Sequence, residues 1–560
     1  MPRALQSVFL PLAPLVLGAA ARAQAGCGQP GVDLAIELSA PLNATATGGV
    51  DALAFAFQPV NLGTAPASWV TTTAQHPVIG LGLARFRVVN GASRMEQIGM
   101  SWVRHVTIPA LSQGSFCTCT PSAGATLGPG CNDTLSATGN TLAANLGPRH
   151  EVEPHTGQHV HPHTPAAIGP FPGQLRFAPA DVTTGAGERY VVEAHLVAQD
   201  DAANGAVMND ATWCELAAGG TPSDPAFALV GSTRRGATVL DAWKEFDPAV
   251  QLLDWDSVVD GRVQLAWCVT QTGPSTWHYE YALYARDYAP GVRLFGLSTP
   301  PTAAVTNLAF HDVAYRGGDG ANGVTQSGAD WSASITSGFL AWETATFALN
   351  PNANAMRWGT TYAFRFDCDR PPMPGYVQLE AFEPPSGPSG VALQAEIPLD
   401  VDALAHGYCL GDGLGAPCPC SNTSPVGHGE GCANSMGVGG FLRVEGWSSF
   451  AHESAALVAT QLPNSTALFL QGTAQVPGGL GAPLGDGLLC LGGALVRLAT
   501  KANAGNAARF PEAGDPTLSA RGGVSVGATY TYQVWYRNAA AFCTSATYNL
   551  SNGVELTWVP

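Results

Sequence analysis

The sequence predicts an all-β protein: two or three β-sandwich-like domains in tandem, disulfide-bearing and preceded by a signal peptide. Three observations lead there. The chain carries 66 Gly and 42 Pro with only 12% charged residues, a balance that favours many short strands joined by turns. Apolar and aromatic residues recur with period two, and long amphipathic helices are hard to find. Finally, 13 Cys follow an N-terminus that reads as an export signal, and disulfides persist in oxidising compartments.

Arg3 supplies the positive charge of the signal, and an apolar run follows over residues 8–21. Ala21-Arg22-Ala23 places small residues before a cut, so cleavage is expected before Gln24. The alternative is a lipoprotein cut before Cys27, although Gln24 stands where an apolar residue is wanted. Pro11 and Pro14 interrupt the run, which is too short for a membrane span, and no later stretch is long enough to be one. A secreted or cell-surface location is the expectation.

Residues 24–235 form the first expected domain, with strands at 83–89 and 190–198. In residues 236–400, strands at 263–270 and 277–284 flank a turn-rich connection. Trp277, Tyr279, Tyr281 and Leu283 share one face, as do Tyr362, Phe364 and Phe366 further on. Such alternation is what a two-sheet sandwich requires. Residues 401–560 open with a cysteine-dense, Gly-rich segment and continue with strands near 467–471, 494–499, 530–536 and 554–558.

Net charge is −17 and only Lys244 and Lys501 are lysines. Without a basic patch, nucleic acid is excluded as a partner. Surface glycans or other envelope proteins fit the class better.

Cys117, Cys119 and Cys131 read C-x-C-x11-C, and so do Cys418, Cys420 and Cys432. The C-terminal region also holds Cys409, Cys490 and Cys543. A Cys418–Cys420 bond is disfavoured by geometry. Cys490 and Cys543 each sit in or beside a strand-like run and are expected to pair. That leaves Cys409–Cys418 with Cys420–Cys432, or Cys409–Cys420 with Cys418–Cys432.

Parts of the chain resemble secreted, modular β-rich proteins of planctomycete-type bacteria. The likeness rests on Trp277-His278-Tyr279-Glu280-Tyr281-Ala282-Leu283-Tyr284, Phe310-His311-Asp312-Val313, Asn350-Pro351-Asn352-Ala353-Asn354-Ala355, Cys409-Leu410-Gly411-Asp412-Gly413 and Trp535-Tyr536-Arg537-Asn538. It implies export and modular β architecture, and brings no active site with it.

Among candidate sites, histidines dominate. His150, His155, His159, His161 and His163 are five of 13 histidines. His159-Val160-His161-Pro162-His163 sets imidazoles at alternate positions, a workable pattern for Cu(II), Ni(II) or Zn(II). His155, His159, His161 and His163 are the candidate ligands. The prolines around them suggest an exposed loop binding metal weakly and adventitiously, so no resident cofactor is expected. A metal-dependent enzyme would need these side chains to meet a histidine from another strand, such as His105 or His195.

Other patterns are weaker. Gly523-Val524-Ser525-Val526-Gly527 fits G-x-S-x-G but is followed by a strand-like run, not a helix. Asp254-Trp255-Asp256 before Asp260-Gly261 lacks calcium-loop spacing. His278 and Glu280 share a strand face and read as hydrogen-bonding partners for a neighbouring strand, and Asp200-Asp201 as a turn cap. Trp102, Trp213, Trp243, Trp331 and Trp342 offer a conceivable sugar-stacking platform. No catalytic set emerges. The reading that follows is an exported, non-enzymatic structural or adhesive β-domain protein, with a carbohydrate-binding module array or a metal-dependent enzyme as alternatives.

Overall fold

The computed structural model describes residues 26–558, except 185–186, 206–209, 301, 316, 337, 400–404, 447, 449, 451–452, 477 and 540–541. The expected signal segment and its cleavage position lie outside the described residues.

The chain is all-β, as its alternation requires. Its first part is a ten-stranded antiparallel sheet. The central strands Val78–Val89 and Glu188–Val197 run side by side, with Ala92–Met100 on one flank and Ala211–Thr221 on the other. The sheet rolls until its first strand, Leu34–Asn43, meets its last, Asp224–Arg235. Asn43 closes the roll, its side chain exchanging hydrogen bonds of 3.0 and 2.7 Å with the Phe227 backbone. Leu34, Ile36, Phe55, Leu83, Tyr190, Val192 and Phe227 fill the interior.

The second part is a two-sheet sandwich. One sheet orders strands Gln251–Ser257, Gly261–Gly273, Thr276–Ala285, Thr360–Cys368 and Val305–His311. The other contains Ser332–Thr336, Phe339–Glu343, Val292–Ser298, Pro372–Ala381 and Gly390–Pro398. Tyr279, Tyr281, Leu283, Tyr362, Phe364 and Phe366 are all 0% exposed between the sheets. Aligned faces of this kind bury both inner rows.

The opposite face of the first of these sheets is covered too. It packs on the rolled sheet, with Ala266, Ala282 and Tyr284 against Phe86, Met95, Val191 and Trp213. Helix Val239–Phe246 bridges the two, started by a capping box between Thr238 and Asp241. Its Leu240 and Trp243 enter the shared core. Through this interface runs a line of buried charge. Glu96 takes Arg85 at 2.7 Å, Arg87 at 2.9 Å and Arg365 at 3.0 Å. Glu280 takes Arg94 at 2.6 Å, and His278 bridges Glu280 at 3.0 Å to Asp367 at 2.5 Å. His278 and Glu280 are thus the polar partners their strand position suggested.

The third part packs a six-stranded sheet, which includes Thr466–Gln475, Leu491–Ala502, Thr529–Arg537 and Gly553–Thr557, over the three strands Phe441–Glu445, Ala456–Thr460 and Ala507–Phe510. Both faces of Thr529–Arg537 are covered, with Tyr532, Val534 and Tyr536 inward and Thr531 and Gln533 buried opposite.

Five disulfides staple the ends of the chain. They are Cys27–Cys117, Cys119–Cys131, Cys409–Cys490, Cys418–Cys432 and Cys420–Cys543. Cys214, Cys268 and Cys368 are free and buried. The Cys27 sulfur is committed to Cys117, so it is not a lipid attachment point.

The expected Cys490–Cys543 pair is wrong, and so is each expected partner of Cys409. Strand Ala405–Tyr408 pairs with Gly553–Thr557, which delivers Cys409 to buried Cys490; the Tyr408 hydroxyl donates to the Cys490 carbonyl at 3.2 Å. Cys543 lies instead beside Asn422, next to Cys420. Only Cys418–Cys432 survives from the expected sets. The two C-x-C-x11-C segments also differ: the second cysteine pairs forward in one, the first in the other. Non-reducing peptide mapping should recover peptides joining Cys409 to Cys490 and Cys420 to Cys543. A Cys490–Cys543 peptide would contradict this fold of the C-terminal region.

Candidate metal centre

Three imidazoles meet at one end of the rolled sheet. His76 closes the turn that leads into Val78–Val89. His105 ends strand Val103–His105, which pairs with Val78–Val89 through His105 opposite Val78. This register brings His105 back beside His76. His159 arrives from a hairpin that folds onto residues 151–153: Val152 bridges His159, and Val160 N–H donates to the Glu151 carbonyl at 3.0 Å.

One donor atom from each ring lies within 4.8 Å of the others. His76 Nε2 and His105 Nδ1 are 3.2 Å apart. Two nitrogens held at ~2.0–2.1 Å from one tetrahedral ion would lie ~3.3 Å apart. The outer nitrogens of two rings are pinned. His76 Nδ1 donates to the Thr73 carbonyl at 2.8 Å, and His159 Nδ1 to the Gly157 carbonyl at 3.3 Å. A proton fixed on Nδ1 turns the Nε2 lone pair inward, the usual way a protein orients a metal-binding imidazole; His76 Nε2 shares a hydrogen bond with His105 Nδ1, which a bound ion would replace. His159 Nε2 is buried with no hydrogen-bond partner, a group that asks for an occupant.

Two more histidines surround the three. His163 stacks on His105 with ring centroids 3.9 Å apart, and its Nε2 donates to the Ala144 carbonyl at 3.0 Å. His161 is exposed, with its ring 5.9 Å from His76. Gly147 makes room for the stack: a β-carbon there would sit 2.7 Å from His105 Nε2 and 3.1 Å from the His163 β-carbon. A Gly147→Val chain should therefore fold with His105 displaced. Its metal affinity should fall at least ~10-fold, read by competition with a chromophoric chelator; unchanged affinity would remove Gly147 from the site.

Burial, helped by the neighbouring His159, holds the His76 pKa down to about 4. Burial drives His105 far below the ordinary imidazole value, with His163, His159, His76 and Arg104 adding to it. Burial also lowers His159 and His163. The rings are thus neutral at pH 7, the form in which imidazole binds metal.

Two expectations need correction. His155 is not part of the cluster: its Nε2 meets the Val258 carbonyl at 3.1 Å and its Nδ1 faces Asp287 at 3.6 Å. The segment is also less exposed than expected: Val160, His161 and Pro162 are exposed, but the hairpin half-buries His159 and His163 against the sheet. Of the two partner strands considered, His105 converges and His195 does not; His195 packs against Trp358. His150 is turned to the Asp319 carbonyl at 2.9 Å. His76 escaped sequence reading, being a single histidine before Pro77 with no neighbour to mark it.

The weaker patterns resolve as structure. Gly523–Gly527 follows helix Leu518–Gly522 and precedes strand Thr529–Arg537, the reverse of a nucleophile elbow. Asp260 is buried and accepts from Ser386 N–H and Gly387 N–H at 2.8 Å each, locking a turn. Asp200 and Asp201 accept from the backbone of Ser68 and Leu34. Trp102, Trp213, Trp243, Trp331 and Trp342 are all buried, so they form no stacking platform.

A cavity of about 190 Å³ adjoins His76, lined also by Ser68, Gln75, Gln199 and Asp200. A cleft of about 1070 Å³ between the first two parts reaches His159 from the other side. No family model and no curated protein matches the chain. Among the described residues, no helix is long and apolar enough to cross a membrane.

Proposed function

We propose that this is an exported β-domain protein, of the secreted planctomycete-type kind it resembles, whose first domain binds one transition-metal ion through His76 Nε2, His105 Nδ1 and His159 Nε2. The observation that carries the reading is the convergence of these donors from three separate segments, with two of the outer nitrogens hydrogen-bonded to carbonyls. Surface histidines that bind metal by accident lack such orientation. Five disulfides support an oxidising location. The site is held by a rigid sheet and a stapled scaffold, which suits capture and retention of an ion outside the cytoplasm.

Calorimetric titration of the full chain with Zn²⁺ and Cu²⁺ tests the proposal. Binding of one ion per chain, weakened at least ~100-fold in His105→Ala and little changed in His155→Ala, is expected. Equal loss in both variants, or none in either, would defeat it.

A further inference from the structure

Resting on the metal-site reading, we infer that the site takes copper, and that it favours the monovalent ion over divalent ones. The argument is electrostatic. All three donors are neutral. Among the described residues no carboxylate or thiolate joins them as a donor. His105 is 0% and His76 3% exposed, so an ion bound there keeps water only on the side of the cavity at His76 and of half-buried His159. The cost of burying charge rises with its square, so a divalent ion loses about four times what a monovalent ion loses.

The surrounding charges repair this only in part. The closest basic neighbour in the chain, Arg104, is 4% exposed, and its guanidinium donates to the carbonyl of His105 itself. A fixed cation beside a ligand repels a divalent ion about twice as strongly as a monovalent one. The carboxylates in the vicinity are held by backbone N–H groups rather than aimed at the imidazoles, so their charge acts only from a distance. Glu151 Oε2 accepts from Thr164 N–H at 2.9 Å. Asp200, across the cavity lining from His76, accepts from Ser68 N–H at 2.5 Å and Asp201 N–H at 3.1 Å. A divalent ion would need an anion from solvent to complete and neutralise its shell. Cu(I) is satisfied by three imidazoles, and imidazole is a good copper donor.

The test is anaerobic titration of the full chain with Cu(I) against bicinchoninate, beside Zn²⁺ and Cu²⁺ titrations against nitrilotriacetate, each with and without chloride. Cu(I) should bind one per chain, at least ~100-fold tighter than Zn²⁺. Chloride should strengthen the divalent ions and leave Cu(I) unaffected. Copper bound to the protein should be reduced at a more positive potential than copper in free imidazole. The variants are His105→Ala and the gentler His76→Gln, with near-ultraviolet circular dichroism confirming that each folds. Zn²⁺ or Cu²⁺ binding tighter than Cu(I) at a His105-dependent site would overturn this inference and leave the metal site standing. No His105- or His76-dependent binding of any of the three ions would overturn both.

Discussion

Glu96→Gln should cost the folded protein about 3–5 kcal/mol, the range for breaking a buried ion pair by removing one partner. The Glu96 side chain is 4% exposed, and it neutralises three guanidinium groups, of Arg85, Arg87 and Arg365. Arg365 comes from the second domain and the others from the first, so the substitution strikes the joint between them. Gln keeps the volume and removes the charge, leaving two buried cations and the half-buried Arg87 with one fewer anion. Burial alone would raise the Glu96 pKa; attraction from His311 and hydrogen bonding and charge from Arg85 and Arg365 outweigh it and bring it down to about 2. A carboxyl with a depressed folded pKa lends stability above its ordinary value, and that stability is lost as pH falls toward 2. Urea denaturation at pH 7 followed by tryptophan fluorescence reads the effect. Combining Glu96→Met with Arg365→Met should recover part of the loss, because the two changes are coupled. A loss below about 1 kcal/mol for Glu96→Gln would mean that the charges are solvated and the two sheets are not pressed together.

The same joint explains what the sequence could and could not disclose. Period-two alternation exposes an inner face wherever large apolar side chains repeat, so Tyr279, Tyr281, Leu283, Tyr362, Phe364 and Phe366 were legible as core. The intervening residues His278, Glu280 and Arg365 have the look of a solvent face. They are buried because a second sheet covers them, and their partners Arg94 and Glu96 lie more than a hundred residues away in the chain. Polarity marks exposure only when nothing polar waits opposite. The metal centre divides in the same way. Local density of histidine pointed to His159, but density also swept in His155, which serves Asp287 instead. His76 and His105 are single histidines in apolar or turn sequence, joined only by the register of two strands. Disulfide pairing failed for a related reason: the partner of Cys490 was fixed by which strand Ala405–Tyr408 joins, a long-range choice with no local signature.

Asp210→Asn should flatten a decline in stability that the native chain shows between about pH 4 and pH 8, the span over which a carboxyl with a raised pKa comes to ionise. Asp201 and Asp210 are 0% and 4% exposed and face each other. Asp201 Oδ2 and Asp210 Oδ1 have no donor from the rest of the protein, so a proton shared between the two is what satisfies them. Burial is the main cause that raises the Asp201 pKa to about 7, with Asp33 and Asp200 adding to it and hydrogen bonds from Asp210 and Leu34 N–H opposing. Burial and then Asp201 push Asp210 well above the usual carboxyl range, against the attraction of Arg286 and Arg262. The folded chain therefore holds protons that the unfolded chain releases. Stability is greatest below the unfolded carboxyl pKa and falls as pH rises through the folded values, by about 1.4 kcal/mol for each unit of offset. An amide at position 210 donates to Asp201 without needing a proton from solvent, and Asp201 keeps its hydrogen bond from Leu34 N–H at 2.6 Å. Thermal unfolding across the pH range, native against Asp210→Asn, should show the variant ahead at pH 8 and level or behind at pH 4. Parallel curves would mean that the two carboxyls do not share a proton, and that the first strand is held at Leu34 by an ionised Asp201 throughout.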